Sequence, residues 1–182
     1  MNLVGKLLIA PPVVKGNFWN KTVVMVTEHH QQGTMGLVLN KRSELSIKAF
    51  GEQLGFELEY PGFVYIGGPV NVKNLSFLHT PEWRSLNTMQ INEEFCISSA
   101  EDILPRMSSG DVPNRWRIML GICGWAPGQL LGEMRGESPW KKENAWCTAQ
   151  ASEELVFGND HNDQWCSALD RSGLEFAQSI FL

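Results

Sequence analysis

The side chains able to do chemistry in this 182-residue sequence are few and scattered. The histidines are His29, His30, His79 and His161, and the cysteines are Cys96, Cys123, Cys147 and Cys166. A metal ion needs three or four ligands converging in space. Only His29 and His30 are neighbours, and on a strand adjacent side chains point to opposite faces. A site built from Glu28, His29 and His79 would need their two strands side by side. The alternative is that His29 and His79 bond nearby backbone at sheet ends. A cysteine nucleophile needs a lowered pKa and a base. Cys123 is the best placed, shortly before a helix start near Pro127; its other reading is a small buried side chain against Trp125. Gln129 and Glu133 lie four apart and share a helix face. With Trp125 just upstream they form either a recognition cluster or a joint in which the indole is packed and the polar groups satisfy backbone. The second is the commoner use of a large aromatic beside glycines. These patterns assign no catalytic residue, no metal and no cofactor.

Known catalytic and phosphate motifs do not fit. Gly5-Lys6 lacks the upstream Gly and following Ser/Thr of a Walker A loop. In Gly67-Gly68-Pro69 the proline removes an amide donor, so a tight turn at a strand end is the better reading. There is no GxSxG elbow and no HExxH helix.

The elements that must hold these residues alternate irregularly. Lys6–Ala10, Thr22–Glu28 and Thr34–Leu39 read as strands, the second nearly continuous in Val and Met and so covered on both faces. His29 to Gly33 reads as a hairpin turn, and Asn40 as a turn residue bonding its own backbone. Ser46 caps a short helix with Ile47, Phe50 and Leu54 on one face and Gly55 as its stop. Phe63–Ile66, Leu75–His79 and Phe95–Ser98 are short strands, with loop over 82–92. Ser99 and Asp102 resemble a capping box opening a helix that contains Pro105 and ends at Gly110. Arg115–Leu120 alternates like a half-buried strand, with Trp116, Ile118 and Leu120 on one side and Arg117 and Met119 on the other. Gly121 and Gly124 then allow a tight turn or a close approach. A short helix from about Pro127 carries Leu130, Leu131 and Met134 on its apolar face and stops at Gly136. Ala145–Ala149 is a late strand and Ser152–Val156 a helical turn. Asp160 caps a final helix with Trp165, Ala168 and Leu169 on one stripe, stopped by Gly173, and the tail from Leu174 is apolar enough to dock. Strands and short helices mixed without regular βαβ alternation indicate an α+β fold.

Composition narrows the function. Hydrophobic residues make up 43% and charged residues 19%, so the chain has the means to build a core and reads as one domain over 1–182. A net charge of −5 disfavours broad nucleic-acid binding, which needs a basic face. The basic pairs Lys41-Arg42, Arg115/Arg117 and Lys141-Lys142 read as solvated charge, and no helix pair has helix-turn-helix form. No apolar run approaches a membrane span, and the start has no signal-peptide pattern. Without that pattern the four cysteines read as reduced, mostly buried thiols in the cytosol. The seven tryptophans read as core aromatics, with one or two at a surface that meets a partner.

One resemblance runs through the chain. Gly5-Lys6-Leu7-Leu8-Ile9-Ala10-Pro11, Gly33-Thr34-Met35-Gly36-Leu37-Val38-Leu39-Asn40, Gly67-Gly68-Pro69-Val70 and His79 stand in order. Gly124-Trp125, Gln129-Leu130, Glu133, Trp140, Val156-Phe157 and Trp165 follow. The ordered set resembles the YqgE/AlgH family of bacterial proteins. It departs from the usual pattern at Ile122 and Cys123, where an aromatic followed by a small residue is commoner. The resemblance implies a compact α+β fold of coiled, partly barrel-like mixed or antiparallel sheets with short helices. It carries no catalytic residue, and one member has given the family the label of transcriptional regulator.

The expected protein is therefore cytosolic, non-catalytic and free of membrane. It binds an unknown protein or small molecule through Trp125, Gln129, Glu133, His79 and His29. The alternatives are a transcriptional regulator, direct or indirect, which rests on the family label, and an enzyme of unrecognised class using His29, His79, Glu133 or Cys123. Direct DNA binding is disfavoured.

Overall fold

A computed structural model describes residues 2–142, 145–158 and 160–180. The first hairpin shows how the sheet is built. Strands β1 (Lys6–Ile9), β2 (Val23–His30) and β3 (Gly33–Val38) pair antiparallel, and their apolar residues divide by parity. Leu7, Ile9, Val23, Met25 and Leu37 enter one core, while Leu8, Val24, Val26 and Val38 enter another on the opposite face. The unbroken apolar run of β2 is thus covered on both sides, as its sequence requires. The strand runs on through His29 and His30, so the hairpin turn is shorter than the sequence suggested. Asn40 holds the start of β2 rather than its own turn. Its Oδ1 accepts from Val23 N at 3.0 Å, and its Nδ2 donates to Lys21 O at 2.7 Å.

The middle of the chain supplies β4 (Arg42–Ser46), which the sequence did not reveal, then α1 (Ile47–Leu54), β5 (Phe63–Ile66) and β6 (Val70–His79). Ser46 caps α1 by accepting from Ala49 N at 3.1 Å, and Gly55 ends it. Ile47 and Phe50 are buried, whereas Leu54 is exposed. After β7 (Met89–Gln90) and β8 (Cys96–Ser99) comes α2 (Ala100–Ser108), which contains Pro105. The expected capping box does not form. Ser99 makes no side-chain cap bond, and the buried Oδ2 of Asp102 has no partner among the described residues. Aspartate is one methylene shorter than the glutamate that normally reaches back.

Strand β9 (Trp116–Trp125) is the spine of the molecule. It pairs with β3 and β6 antiparallel and with β5 parallel. The sequence suggested that the strand ended at Leu120 and was half-exposed; instead it continues to Trp125 with both faces covered, and Arg117 is buried. Gly121 explains the misreading. Before it, Trp116, Ile118 and Leu120 face a core shared with α1 and α2, and Met119 faces the core of β1 and β2. After it the parity reverses: Ile122 joins the core that Met119 faces, while Cys123 and Trp125 join the third core. Gly121 has φ +76°, a left-handed conformation that slips the strand's phase by one residue without ending it. A Cβ there would lie 2.4 Å from Gly68 O, and a Cβ on Gly68 would lie 2.1 Å from the Ile122 carbonyl carbon. Strand β9 and the Gly67-Gly68-Pro69 turn meet at backbone contact, which is the close-approach reading for Gly121 but not for Gly124, whose Cβ would meet nothing within 4 Å.

Helix α3 (Gln129–Arg135), β10 (Cys147–Gln150), one π-helical turn (Glu154–Gly158) and α4 (Gln164–Ile180) complete the chain. Helix α3 starts at Gln129 rather than at Pro127, with Gly128 as its cap residue. Helix α4 runs through Gly173 instead of stopping, and Leu174, Phe176 and Ile180 lie 62–69% exposed rather than docked. Residues 181–182 of that tail lie outside the described residues. The sheet order is β10-β1-β2-β3-β9-β6-β8-β7, with β4 and β5 attached through β9. The fold is α+β: a curled, mainly antiparallel half-barrel flanked by short helices. No helix is long and apolar enough to cross a membrane among the described residues.

Candidate functional site

The end of β9 and the start of α3 build the site. Trp125 is the last residue of β9, and Ala126-Pro127-Gly128 turns the chain into the helix. Gln129 makes the joint rigid: its Oε1 accepts from Ala126 N at 2.9 Å, and its Nε2 donates to Glu133 Oε1 at 2.9 Å. The other carboxylate oxygen, Glu133 Oε2, accepts two indole N–H groups, from Trp125 at 3.0 Å and Trp146 at 2.8 Å. Trp19 completes a ring triangle, its centroid 6.3 Å from Trp125 and 5.6 Å from Trp146, the latter pair edge-to-face. Leu130, Leu131 and Met134 anchor the inner face of α3 in the core below.

Above this cluster opens a cleft of about 280 Å³. Trp19, Trp125, Trp140 and Trp146 supply its aromatic lining, Glu133 and Gln129 its polar groups, and Pro69 and Val70 contribute as well. The turn Gly67-Gly68-Pro69 thus leads into the cleft lining rather than into a phosphate cradle. Glu133 makes no ion pair among the described residues.

The five residues read from the sequence divide three ways. Trp125, Gln129 and Glu133 form one bonded unit. His29 lies near it but faces elsewhere. Its Nδ1 is 2.7 Å from Thr34 Oγ1, and Thr34 pairs with Trp125 across β3 and β9. His29 lines a separate, more open hollow of about 620 Å³ with His30, Gln31 and Leu131. His79 is fully buried in another core. Its Nδ1 donates to Thr80 O at 2.8 Å, which leaves Nε2 to accept from Ser98 Oγ at 2.8 Å. Burial holds its pKa below the usual histidine value. Strands β3 and β9 separate β2 from β6, so Glu28, His29 and His79 do not converge. Among the described residues no group of three metal-binding side chains occurs.

Cys123 takes its packing role. It is buried against the same core as Trp125, its Sγ donates to Gly67 O at 3.5 Å, and burial pushes its thiol up to about 12. A thiol so poised is a poor nucleophile. All four cysteines are free, although Cys166 is exposed and Cys147 half-buried. No two of the helices α1 to α4 are consecutive, because strands separate each pair.

The model of the AlgH-like family matches residues 7–177. The chain belongs to the AlgH-like family. Curated AlgH-like relatives include a UPF0301 protein of Shewanella denitrificans, 34% identical with 97% of this chain and 95% of that protein covered. Another from Photobacterium profundum is 32% identical over 96% and 94%. The solution structure of the AlgH protein from Pseudomonas aeruginosa is similar with a TM-score of 0.75 and 30% identity, covering 94% of this chain and 89% of that one. A Corynebacterium diphtheriae protein shares the fold, with a TM-score of 0.71 over 91% and 84% at 20% identity.

In this AlgH-like chain, sequence reasoning missed Trp19, Trp140 and Trp146 as site residues. Their signal was the abundance of tryptophan. Their convergence could not be read, because Trp19 and Trp146 stand 127 positions apart in the numbering of the chain.

Proposed function

We propose that this AlgH-like protein works by binding rather than catalysis, and that the tryptophan cleft takes a small organic cation such as an alkylated ammonium group. The observation that carries this is Glu133. It is a carboxylate with no cationic partner among the described residues, set among four indoles lining one cleft. Indole faces attract cations through their quadrupole, and a nearby carboxylate adds a full opposing charge. The same bonds argue against catalysis by Glu133: both oxygens already accept N–H groups, so neither is poised to take a substrate proton. A cytosolic, regulatory setting belongs to this reading as well, with a partner bearing such a group in place of a free ligand.

The test is a tryptophan-fluorescence titration with choline beside its neutral carbon isostere, 3,3-dimethylbutanol. Choline should give a saturable change and the isostere none. Glu133→Gln keeps the shape and an oxygen acceptor for the indoles but removes the charge. It should stay folded and lose about tenfold or more in choline affinity. Equal responses to choline and the isostere, or an unaltered Glu133→Gln titration, would reject the cation reading.

A further inference from the structure

Arg117 buries a permanent charge. It projects from β9 and is 7% exposed. Its Nη1 donates to Leu39 O at 2.5 Å and to Gln164 Oε1 at 3.1 Å, and its guanidinium lies 4.5 Å from the centre of the Tyr65 ring. Gln164 is fully buried and fixed in this orientation, because its Nε2 donates to the Leu155 and Val156 carbonyls at 2.7 and 3.2 Å. Both acceptors of Arg117 are neutral. Among the described residues no carboxylate lies within ion-pair distance of it. Burial works against the charged form, yet a guanidinium stays protonated in proteins. A buried charge is costly, and the neutral acceptors together with the more distant Asp160 carboxylate offset only part of that cost.

The surroundings point to where a counter-ion would come from. Arg117 lines a cleft of about 500 Å³ together with Arg42, Arg115, Tyr60, Tyr65 and Asp160. The Arg42 guanidinium lies 4.3 Å from the centre of the Phe63 ring and makes no ion pair among the described residues. Arg115 is 3.3 Å from Glu153 at the surface. The carboxylate of Asp160 accepts from Asn162 N and Nδ2, both at 2.9 Å, and lies 3.3 Å from the ring of His161, which also lines the cleft. Three guanidiniums therefore stand against two carboxylates, Asp160 in the lining and Glu153 beside Arg115, in a protein whose net charge is −5. None of the lining residues is shared with the tryptophan cleft.

We infer that this cleft binds a small phosphate monoester. Arg117 and Arg42 grip the phosphoryl group, and the aromatic lining takes the organic body. A phosphate monoester brings close to two negative charges and three acceptor oxygens. Guanidinium is the cation whose planar fork matches that geometry. A monocarboxylate offers only two acceptor oxygens where the phosphoryl group offers three.

The test is calorimetric titration of the full chain with adenosine 5′-monophosphate, inorganic phosphate, adenosine and succinate. The monophosphate should bind, inorganic phosphate should bind more weakly, and adenosine and succinate should not. Arg42→Ala removes an exposed side chain without an ion pair and should weaken the monophosphate about tenfold to hundredfold. Arg117→Lys keeps the charge but loses the fork and should weaken it by a similar factor. Glu133→Gln, in the other cleft, should change it less than twofold, roughly the scatter expected for independent sites. The inference is overturned if neither phosphate compound binds, if succinate binds as tightly as phosphate, or if Arg42→Ala binds like the parent. Should Arg117→Lys fail to fold, Arg42→Ala decides.

Discussion

His79 shows what burial does to one side chain. It donates to Thr80 O and accepts from Ser98 Oγ, so the neutral ring satisfies both bonds. Protonation would place a charge in a fully buried site. Its folded pKa therefore lies below that of the unfolded chain. A histidine depressed in this way contributes stability that is complete above its unfolded value of about 6.5 and is lost as pH falls toward the folded value. The ring protons of His79 should show no titration step at or above pH 6.5 in an NMR pH series; a step there would contradict the assignment. Cys123 makes a parallel case. With its thiol pushed up to about 12 and its side chain buried, iodoacetamide on the native protein should label the exposed Cys166 first and Cys123 only after unfolding. Peptide mass spectrometry reads both. The sequence placed Cys123 beside Trp125 correctly. For His79 the reading that it bonds nearby backbone at a strand end is the one the structure shows, while its grouping with Trp125 is not met, since a strand residue shows its face only when its neighbours are known.

Among the elements, β9 carries the sharpest prediction. Gly68→Ala and Gly121→Ala would each drive a methyl group into backbone where β9 meets the Gly67-Gly68-Pro69 turn, and Gly121 adds a positive φ. Each should destabilise by roughly 3 kcal/mol or more in urea unfolding. Gly124→Ala meets nothing within 4 Å and should fall within about 0.5 kcal/mol of the parent. Equal effects at all three positions would remove the close-approach argument. Ser46→Ala should cost about 1 kcal/mol, while Ser99→Ala, whose hydroxyl makes no cap bond, should cost less. Local chemistry was legible where one residue acts on its own turn, as Ser46, Gly55 and Gly136 do. It failed where tertiary contacts enter: α4 continues through Gly173, and Glu175, two residues beyond, accepts from Gln150 N on β10 at 3.1 Å.

At the scale of the whole molecule, the α+β class and most strands could be read from periodicity. The sheet order could not, since pairing partners lie far apart in the chain. Arg117 is the clearest casualty. Its alternation with Ile118 marked it as the solvent side of a half-buried strand, but α4 supplies Gln164 to cover that side. The two proposed clefts inherit this architecture, one near each end of β9. Salt should weaken them unequally. The arginine cleft holds several fixed charges, so its phosphate affinity should fall more steeply between low and physiological ionic strength than choline affinity does. Parallel titrations at two salt concentrations would check the ranking.

The pairing of β1 with β10 sets a clock. Lys6 sits opposite Gln150, so the first strand waits for 144 further residues before its outer edge is covered. At ribosomal rates that interval is roughly 7–30 s. Trp19 waits almost as long for Trp146, the ring it meets edge-on. The tryptophan cleft therefore cannot exist on a partly made chain, and a choline-type ligand would recognise only molecules whose synthesis has passed that point. Chains stalled before residue 146 should give no saturable fluorescence response, which a ribosome-bound series of increasing length would reveal.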